Sequence, residues 1–185
     1  MFTDFQMIMK RAIKNKFIRE LALMQKELDL ALQQKCADYE PVAQQDADLP
    51  KAILCDLDGT LALIHNRDPY DATHCDEDML NEPVAEVLRN YYNKDYQILL
   101  VTGREERFRE QTIRFLEKHS IAYHQLWMRK TKDYRKDTIV KKEIFNTEIA
   151  DNFDIEFVLD DRNQVVDMWR NDLQLPCFQV NEGDS

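Results

Sequence analysis

The chain has 185 residues, of which 44% are hydrophobic and 32% are charged, and its formal net charge at pH 7 is −10. This length suits one domain, or one domain with an appendage, and the apolar fraction is sufficient for a hydrophobic core. The sequence contains no apolar run of about 18 residues, so we expect no membrane span. The acidic charge argues mildly against tight non-specific binding of nucleic acid, although a local basic patch remains compatible with it.

The cysteines show no metal-binding or disulfide pattern. The four of them are separated by long intervals without a C-x-x-C pair: Cys36, Cys55, Cys75 and Cys177. The four histidines also lack metal-ligand spacing, and the N-terminus lacks the apolar run and cleavage site of a signal peptide. We therefore expect reduced thiols and a cytoplasmic location, in the host cytoplasm if the source is viral.

The first 48 residues are predicted to form a helix and a linker. Apolar side chains recur every three or four positions over residues 4–36, and neither glycine nor proline interrupts them. Residues 10–19 carry five basic side chains without an acid, which indicates a solvated face of a packing helix or, alternatively, a contact with nucleic acid or a partner protein. Residues 37–50, with two prolines, resemble a linker, so we place a second domain at residues 49–185.

From residue 51 onwards, predicted strands alternate with predicted helices. The strands are expected at 51–56, 96–102, 121–127, 155–160 and 175–180, and the helices at 83–94, 105–119, 135–150 and 163–173. This alternation predicts an α/β fold, with a mostly parallel sheet in a three-layer, Rossmann-like arrangement. In such sheets the functional crevice lies at the carboxyl ends of the strands.

Polar side chains collect at three of these strand ends. The first strand ends in Asp56-Leu57-Asp58-Gly59-Thr60, the second in Thr102-Gly103-Arg104, and the fourth in Asp160-Asp161-Arg162. Acids next to a buried strand are costly unless a charge or a hydrogen-bond network uses them. The convergence of three such ends on one edge therefore predicts a functional site.

The chemistry of these residues fits phosphoryl transfer. One carboxylate can attack phosphorus and form an aspartyl phosphate, and a second one two residues later can protonate the leaving oxygen and then activate water. Asp160 and Asp161 supply further oxygen ligands, and carboxylates clustered with few or no histidine or cysteine ligands favour Mg²⁺. Two of the three glycines, Gly59 and Gly103, follow strand-end polar residues, which suggests backbone amides turned toward an anion.

These motifs resemble those of the haloacid dehalogenase superfamily of phosphohydrolases. The D-x-D-G-T stretch after an apolar strand is the specific signal, and the threonine-glycine and double-aspartate motifs follow in the expected order. The family also has a lysine between the last two motifs, for which Lys141 and Lys142 are the candidates.

Within the superfamily, residues 51–184 more closely resemble the 3′-phosphatase domain of bacteriophage polynucleotide kinase-phosphatase. The stretches that carry this resemblance are Asn66-Arg67-Asp68-Pro69-Tyr70-Asp71, Arg135-Lys136-Asp137 with Lys141, Glu143-Ile144-Phe145, Gln164-Val165-Val166 after the double aspartate, and Met168-Trp169-Arg170. It implies Asp56 as nucleophile and metal ligand, Asp58 as general acid and base with its carbonyl on the metal, and Asp161 as a metal ligand with Asp160 beside it. It further implies that Thr102 and Lys141 hold the phosphate next to Gly103, and that Arg67, Arg104 and Asp137 complete the substrate pocket. Asp137 and Lys141 are four residues apart, so on a helix they can form an ion pair.

The chain also departs from the bacteriophage pattern. The segment between Arg104 and Arg135 is shorter, and the segment after Thr60 has room only for a loop-rich flap and one helix, which gives a minimal cap. No GxxxxGK[ST] sequence is present, so we expect no 5′-kinase activity.

Three functional interpretations follow from these expectations. The first is a magnesium-dependent phosphatase that removes 3′-phosphates from DNA or RNA ends or from 3′-nucleotides. The second keeps the chemistry but acts on a free nucleotide or a small phosphorylated metabolite. The third is an assembly module of a repair complex, in which the N-terminal helix forms homo-oligomers or binds a partner protein.

Overall fold

The computed structural model describes Lys26 and residues 45–68 and 71–183. The elements named below all belong to the unit Val42–Ser185. Apart from Lys26, the residues of the helix predicted at 4–36 lie outside the described part of the chain, so that helix stays a prediction. No helix in the described part of the chain is long and apolar enough to cross a membrane.

The described chain contains seven strands and four α-helices, and from β3 onwards the two kinds of element alternate. The strands are β1 (Lys51–Cys55), β2 (Ala62–Leu63), β3 (Met79–Leu80), β4 (Gln97–Glu105), β5 (Gln125–Arg129), β6 (Asp154–Arg162) and β7 (Cys177–Gly183). The helices are α1 (Glu82–Tyr92), α2 (Arg109–Lys118), α3 (Asp137–Ile144) and α4 (Asn163–Asp167).

Five of the strands form one parallel sheet in the order β5-β4-β1-β6-β7. Strand β1 lies at its centre, between β4 and β6, so these three carboxyl ends are neighbours. Strands β2 and β3 form a separate antiparallel pair. Gln45 exchanges two hydrogen bonds with the backbone of Ile155 in β6, so the described end of the predicted linker is attached to the sheet.

Both faces of the central sheet are buried, as the continuous apolar character of β1 and β4 predicts. On β1, Ile53 and Cys55 enter one core cluster, whereas Ala52 and Leu54 enter the other. Helices α1 and α2 complete the first cluster, while α4 and the segment after α3 complete the second. The expected α/β architecture, with helices on both faces of a parallel sheet, is therefore confirmed.

Several predicted boundaries were wrong. The strands predicted to end at 102 and 160 continue to Glu105 and Arg162, because each tolerates an irregularity in its pairing. The strand predicted at 121–127 begins at Gln125, since Ile121 is buried in the core without strand pairing. The strand predicted at 175–180 spans Cys177–Gly183.

The helices after β4, β5 and β6 are less regular than their periodicity predicted. A 3₁₀ turn at Glu106–Phe108 precedes α2. Helix α3 continues as a π-helical turn at Phe145–Ile149, and α4 continues as another at Met168–Asp172. The described cysteines, Cys55, Cys75 and Cys177, are buried and are not joined to one another.

Candidate active site

The candidate site lies where β1, β4 and β6 end. Asp56 follows β1 directly and donates its backbone N–H to the carbonyl of Leu159 in β6 (3.0 Å). On β4 the pairing with β5 shifts between Thr102 and Glu105, and on β6 the pairing with β7 shifts between Asp160 and Arg162. Such bulges re-aim side chains at a sheet edge, and both occur at the residues that the sequence predicted for the site.

A buried lysine, Lys141, lies between three acids, one of which is Asp56. The Nζ of Lys141 lies 2.8 Å from Asp56 Oδ1, 2.8 Å from Asp160 Oδ2 and 3.6 Å from Asp137 Oδ2. The Lys141 side chain is only 1% exposed. The predicted i,i+4 pair of Asp137 and Lys141 is thus present, and Lys141, unlike the exposed Lys142, is the lysine that reaches the site.

Asp160 accepts a full set of hydrogen bonds. Besides Lys141, its Oδ2 accepts from Trp169 Nε1 (3.1 Å), while its Oδ1 accepts from the backbone N–H groups of Asp161 (3.0 Å) and Arg162 (3.3 Å). This carboxylate is therefore fixed in one orientation, in which it holds Lys141 beside Asp56.

Three acidic side chains in this region could hold a metal ion. One carboxylate oxygen from each of Asp56, Asp160 and Asp161 lies within 4.8 Å of the others, and all three residues are buried. Asp161 also accepts a 3.4 Å hydrogen bond from the Thr60 hydroxyl.

A second charged cluster lies around Asp58. The Arg104 guanidinium donates to both of its oxygens, from Nε at 2.9 Å and from Nη2 at 2.7 Å, and Arg67 Nη2 donates to Oδ1 at 2.6 Å. The side chains of Arg104 and Arg67 are 1% and 5% exposed, respectively. The structure thus brings Arg67 and Arg104, which the resemblance had assigned to the substrate pocket, into contact with Asp58, which it had assigned to general acid and base catalysis.

Asp78 completes the arginine cluster, and sequence reasoning missed it. Its side chain is fully buried and accepts from Arg67 (Nη2 at 2.7 Å, Nε at 2.9 Å), from Arg104 (3.1 Å) and from the backbone of His65 (3.2 Å). Asp78 therefore fixes both arginines relative to Asp58. Nothing local distinguishes it from the acids Asp76 and Glu77 that precede it.

Arg129, at the end of β5, is a second residue that sequence reasoning missed. Its guanidinium donates to the carbonyl of Gly103 (2.9 Å), to those of Asp133 (3.2 Å) and Arg135 (2.6 Å), and to the Asp137 carboxylate (3.1 Å). It therefore links the bulge of β4 to the β5–α3 loop and to the start of α3. The only sequence signal was a basic residue at another strand end.

The glycines next to the site allow close packing. A Cβ on Gly59, whose φ is +84°, would lie 2.1 Å from Asp161 Oδ2, and a Cβ on Gly103 would lie 2.6 Å from Asp137 Oδ1. The expectation that Gly59 turns its amide toward an anion was wrong, because that N–H donates to the Ala62 carbonyl (2.9 Å). Gly59 is required here by its positive φ and by the approach of Asp161.

The two clusters perturb their carboxylates in opposite directions. Burial raises the pKa of Asp56 well above its usual value; Lys141 opposes this, and Asp160 and Asp161 add to it. Burial also acts to raise the pKa of Asp58, but the charges and hydrogen bonds of Arg104 and Arg67 outweigh it and hold that pKa below its usual value. Burial followed by the charge of Asp160 raises the pKa of Asp161. For Lys141, burial favours the neutral form, but the charges of Asp160, Asp56 and Asp137 prevail and raise its pKa well above the usual value.

Both clusters border one cavity of about 420 Å³. Its lining includes the predicted residues Asp56, Asp58, Thr102, Gly103, Arg104 and Asp137. Thr102 is fully buried, and its hydroxyl accepts the backbone N–H of Arg104 (3.2 Å). The cavity therefore places two carboxylates of different character beside arginine and threonine side chains, an arrangement suited to a phosphoryl group. Lys141 does not line the cavity itself and acts on it through its contact with Asp56.

Comparisons with known proteins identify the family. A sequence model described as "Polynucleotide kinase PNKP phosphatase domain", of the haloacid dehalogenase type, matches residues 50–185. A relative from Autographa californica nuclear polyhedrosis virus, whose name assigns it to bifunctional polynucleotide kinase/RNA ligases, is 36% identical over 141 residues, which are 75% of this chain and 20% of that protein.

Two solved structures are also similar to this chain. A chain of the Pnkp1/Rnl/Hen1 complex is 57% identical, with a TM-score of 0.77, over 78% of this chain and 50% of that one. A chain of the Pnkp1/Rnl/Hen1 RNA repair complex is 58% identical, with the same TM-score, over 78% of this chain and 46% of that one. This chain thus spans half or less of the length of each of these relatives. Because the match at residues 50–185 covers well over half of the sequence, the chain belongs to the polynucleotide kinase PNKP phosphatase-domain family and is a phosphatase of the haloacid dehalogenase type.

Proposed function

We propose that this phosphatase removes 3′-phosphates from polynucleotide ends, in a Mg²⁺-dependent reaction that passes through an aspartyl phosphate. The observation that carries the proposal is the placement of Asp56 and Asp58 on one cavity in opposite electrostatic settings. Pairs of carboxylates whose environments separate their pKa values are typical of divided catalytic roles.

The donor set fits a hard divalent cation. Asp56 and Asp161 offer carboxylate oxygens, and among the described residues the acidic cluster they belong to contains no histidine or cysteine. The oxygens of Asp160 are already engaged by Lys141, Trp169 and two backbone N–H groups, so we assign it to positioning Lys141. The backbone carbonyl of Asp58 is a further ligand by the family resemblance. A bound Mg²⁺ would offset the negative charge of the acids and of the phosphate, which favours the ionised form of Asp56.

The reaction then assigns one task to each aspartate. Lys141 binds Asp56 through Oδ1, which leaves Oδ2 to attack phosphorus while the bond from phosphorus to the 3′-oxygen breaks. The Asp58 carboxyl gives its proton to that leaving oxygen. In the second half-reaction Asp58 takes a proton from water, which attacks the aspartyl phosphate, releases inorganic phosphate and regenerates Asp56.

The arginine cluster explains how Asp58 can change its protonation state. Without substrate, Arg67 and Arg104 keep Asp58 ionised. A phosphate dianion competes with Asp58 for these guanidinium groups, and each hydrogen bond that moves to the phosphate removes a cause of the lowered pKa. Substrate binding therefore favours the protonated Asp58 that the first step needs.

The proposed substrate class rests on the relatives and on the branch resemblance of the sequence. The viral relative's name refers to polynucleotide kinase and RNA ligase activities, and the structural relatives come from an RNA repair complex. We accordingly extend to this chain a role at RNA 3′-ends, in association with partner proteins. We assign that association to the N-terminal residues 1–48. Deletion of residues 1–48 should abolish assembly while leaving phosphate release intact; a truncated protein that still assembles would contradict this assignment.

A substrate panel tests the enzymatic proposal. The protein would be given RNA and DNA oligonucleotides with a 3′-phosphate, the same RNA with a 5′-phosphate, 3′-mononucleotides and glycerol phosphate, each with Mg²⁺ or with chelator. We expect phosphate release from 3′-phosphorylated ends in the presence of Mg²⁺ only. A preference for glycerol phosphate or for 5′-phosphates over oligonucleotide 3′-ends would refute the substrate assignment.

The nucleophile is tested by a pair of variants. Asp56→Asn removes the attacking charge at nearly constant volume, so it should abolish phosphate release. Asp151→Asn makes the same change at an exposed position and should leave activity intact. Circular dichroism would show whether both variants are folded. Phosphate release by folded Asp56→Asn would exclude the aspartyl-phosphate mechanism.

A further inference from the structure

The loop between β5 and α3 presents an aromatic ring beside the candidate active site. Tyr134 is 86% exposed, more than any other exposed large hydrophobic side chain in the described part of the chain. It nevertheless lines the same cavity as Asp56 and Asp58. Because the Tyr134 ring is exposed to solvent at the edge of the cavity, its flat apolar face is accessible to a ligand.

The backbone on both sides of Tyr134 is fixed. Arg129 Nη1 donates to the carbonyls of both its neighbours, at 3.2 Å to Asp133 and 2.6 Å to Arg135. The Arg135 side chain in turn donates to Asp133 (2.6 Å) and to Glu143 on α3 (2.6 Å). The ring therefore projects from an ordered support, which reduces the entropy lost when a ligand stacks on it.

The same cavity carries a second planar group suited to a nucleobase. The Arg107 guanidinium lies 4.5 Å from the centroid of the Phe108 ring, its side chain is 56% exposed, and both residues line the cavity. Arginine and aromatic planes are the groups on which single-stranded nucleic acids stack, and they accept any base because every base has a π-face.

We propose that Tyr134 is a stacking platform for the base of the 3′-terminal nucleotide, with Arg107 as a second planar contact in the same cavity. This inference rests on the proposed function, since it places the 3′-phosphate of that nucleotide at Asp56. The cavity then selects a phosphorylated polynucleotide end by the presence of a base, without reading which base it is.

The experiment compares a base-bearing end with an abasic one. Two RNA oligonucleotides with a 3′-phosphate, one ending in adenosine and one in an abasic ribose, would be assayed with wild type, Tyr134→Ala and Tyr134→Phe, with Mg²⁺ present. Tyr92→Ala removes another exposed tyrosine, one that does not line this cavity, and serves as the matched control. Glycerol phosphate, which has no ring, reports on the chemistry alone.

We expect Tyr134→Ala to raise KM for the adenosine end by about 10-fold, as one lost stacking contact predicts, and to leave KM for the abasic end unchanged. Tyr134→Phe keeps the ring and should behave as wild type, as should Tyr92→Ala. Equal KM values of Tyr134→Ala and wild type on the adenosine end, or equal increases on both ends, would overturn the stacking role while leaving the proposed function in place. Wild-type turnover of glycerol phosphate without turnover of either oligonucleotide would instead refute the proposed function, and the stacking role with it.

Discussion

Replacement of Asp78 by alanine probes the arginine cluster without touching either proposed catalytic aspartate. Asp78 joins Arg67 and Arg104 at 2.7 and 3.1 Å, and the three side chains are between 0% and 5% exposed. Without Asp78, Arg67 still donates hydrogen bonds to Asp58 and to two backbone carbonyls. Its Nε loses the hydrogen bonds that it donates to the Asp78 carboxylate. The orientation of the Arg67 guanidinium relative to Asp58 is then no longer fixed.

The expected magnitudes follow from burial. Removing one partner of a buried ion pair costs about 3–5 kcal/mol, and because both arginines retain Asp58 we expect a loss of about 3 kcal/mol in the free energy of unfolding. A misplacement of a binding group by roughly 1 Å can cost on the order of 100-fold in rate, so kcat should fall by about that factor. Asp78→Asn keeps the side-chain volume and one acceptor oxygen. Its free energy of unfolding and its kcat should therefore lie between those of Asp78→Ala and wild type.

The assay measures urea unfolding and phosphate release from a 3′-phosphorylated oligonucleotide. Asp76→Ala is the matched control, because Asp76 lies two residues earlier and forms an exposed pair with Arg114 at 3.1 Å. Such surface pairs contribute about 0–1 kcal/mol, so this variant should resemble wild type in both measurements. Wild-type turnover by folded Asp78→Ala would show that the arginines do not need this anchor.

Further predictions concern the lysine, a glycine and the thiols. Lys141→Met removes the ammonium group that the buried acids around it contact. The free energy of unfolding, measured in urea, should fall by about 3–5 kcal/mol, and phosphate release should stop. An active and equally stable variant would contradict the proposed role of Lys141. Gly59→Ala places a Cβ against the Asp161 carboxylate at a residue with positive φ, and the backbone conformation alone costs about 1–2 kcal/mol of folding free energy. The displaced Asp161 should raise the Mg²⁺ concentration needed for half-maximal phosphate release. An unchanged Mg²⁺ dependence would refute the proposed role of Asp161. Burial raises the pKa of Cys177 to about 12, so at pH 8 this thiol is protonated and should resist iodoacetamide until the protein is unfolded in urea. The same is expected of the other described thiols, Cys55 and Cys75, whose pKa values burial also raises, and labelling of any of the three in native buffer, mapped by mass spectrometry, would contradict their burial.

The positions of the strand-end residues could be predicted from the sequence because parallel topology leaves them little freedom. The sequence predicts three strands of one parallel sheet at residues 51–56, 96–102 and 155–160. Because the carboxyl ends of parallel strands lie at the same edge of the sheet, the polar residues that end these strands are expected to be close together. The structure places Asp56, Thr102 and Asp161 accordingly at neighbouring ends of β1, β4 and β6. Lys141 was less constrained, and the family resemblance was needed to select it together with Lys142 as a candidate.

The residues that sequence reasoning missed depend on the tertiary path of loops. Asp78 lies in a run of acids without periodicity, and its partners are fixed only by the path of the chain from Leu61 to Asn81. The irregular pairing of β4 was equally inaccessible, because hydrophobic alternation does not reveal an unpaired residue within a strand. The role of Gly59 was misread for a related reason, since the approach of Asp161 involves a residue about 100 positions away.

The two charged clusters together account for the cation and the arginines that the proposed reaction uses. On one side, Asp56, Asp160 and Asp161 lie close together around the single ammonium of Lys141, so negative charge is in excess before substrate arrives. On the other side, Arg67 and Arg104 are matched by Asp58 and Asp78, so that cluster is neutral as it stands. Within these two clusters, a phosphate dianion therefore meets only cations that acids already engage: Lys141, Arg67 and Arg104. In the proposed reaction, a divalent ion held by Asp56 and Asp161 would offset the excess on the first side. Transfer of guanidinium hydrogen bonds from Asp58 to the phosphate would provide positive charge on the second. Because Arg67 and Arg104 would keep their hydrogen bonds to Asp78 during that transfer, the two guanidinium groups would stay in place when their hydrogen bonds to Asp58 break.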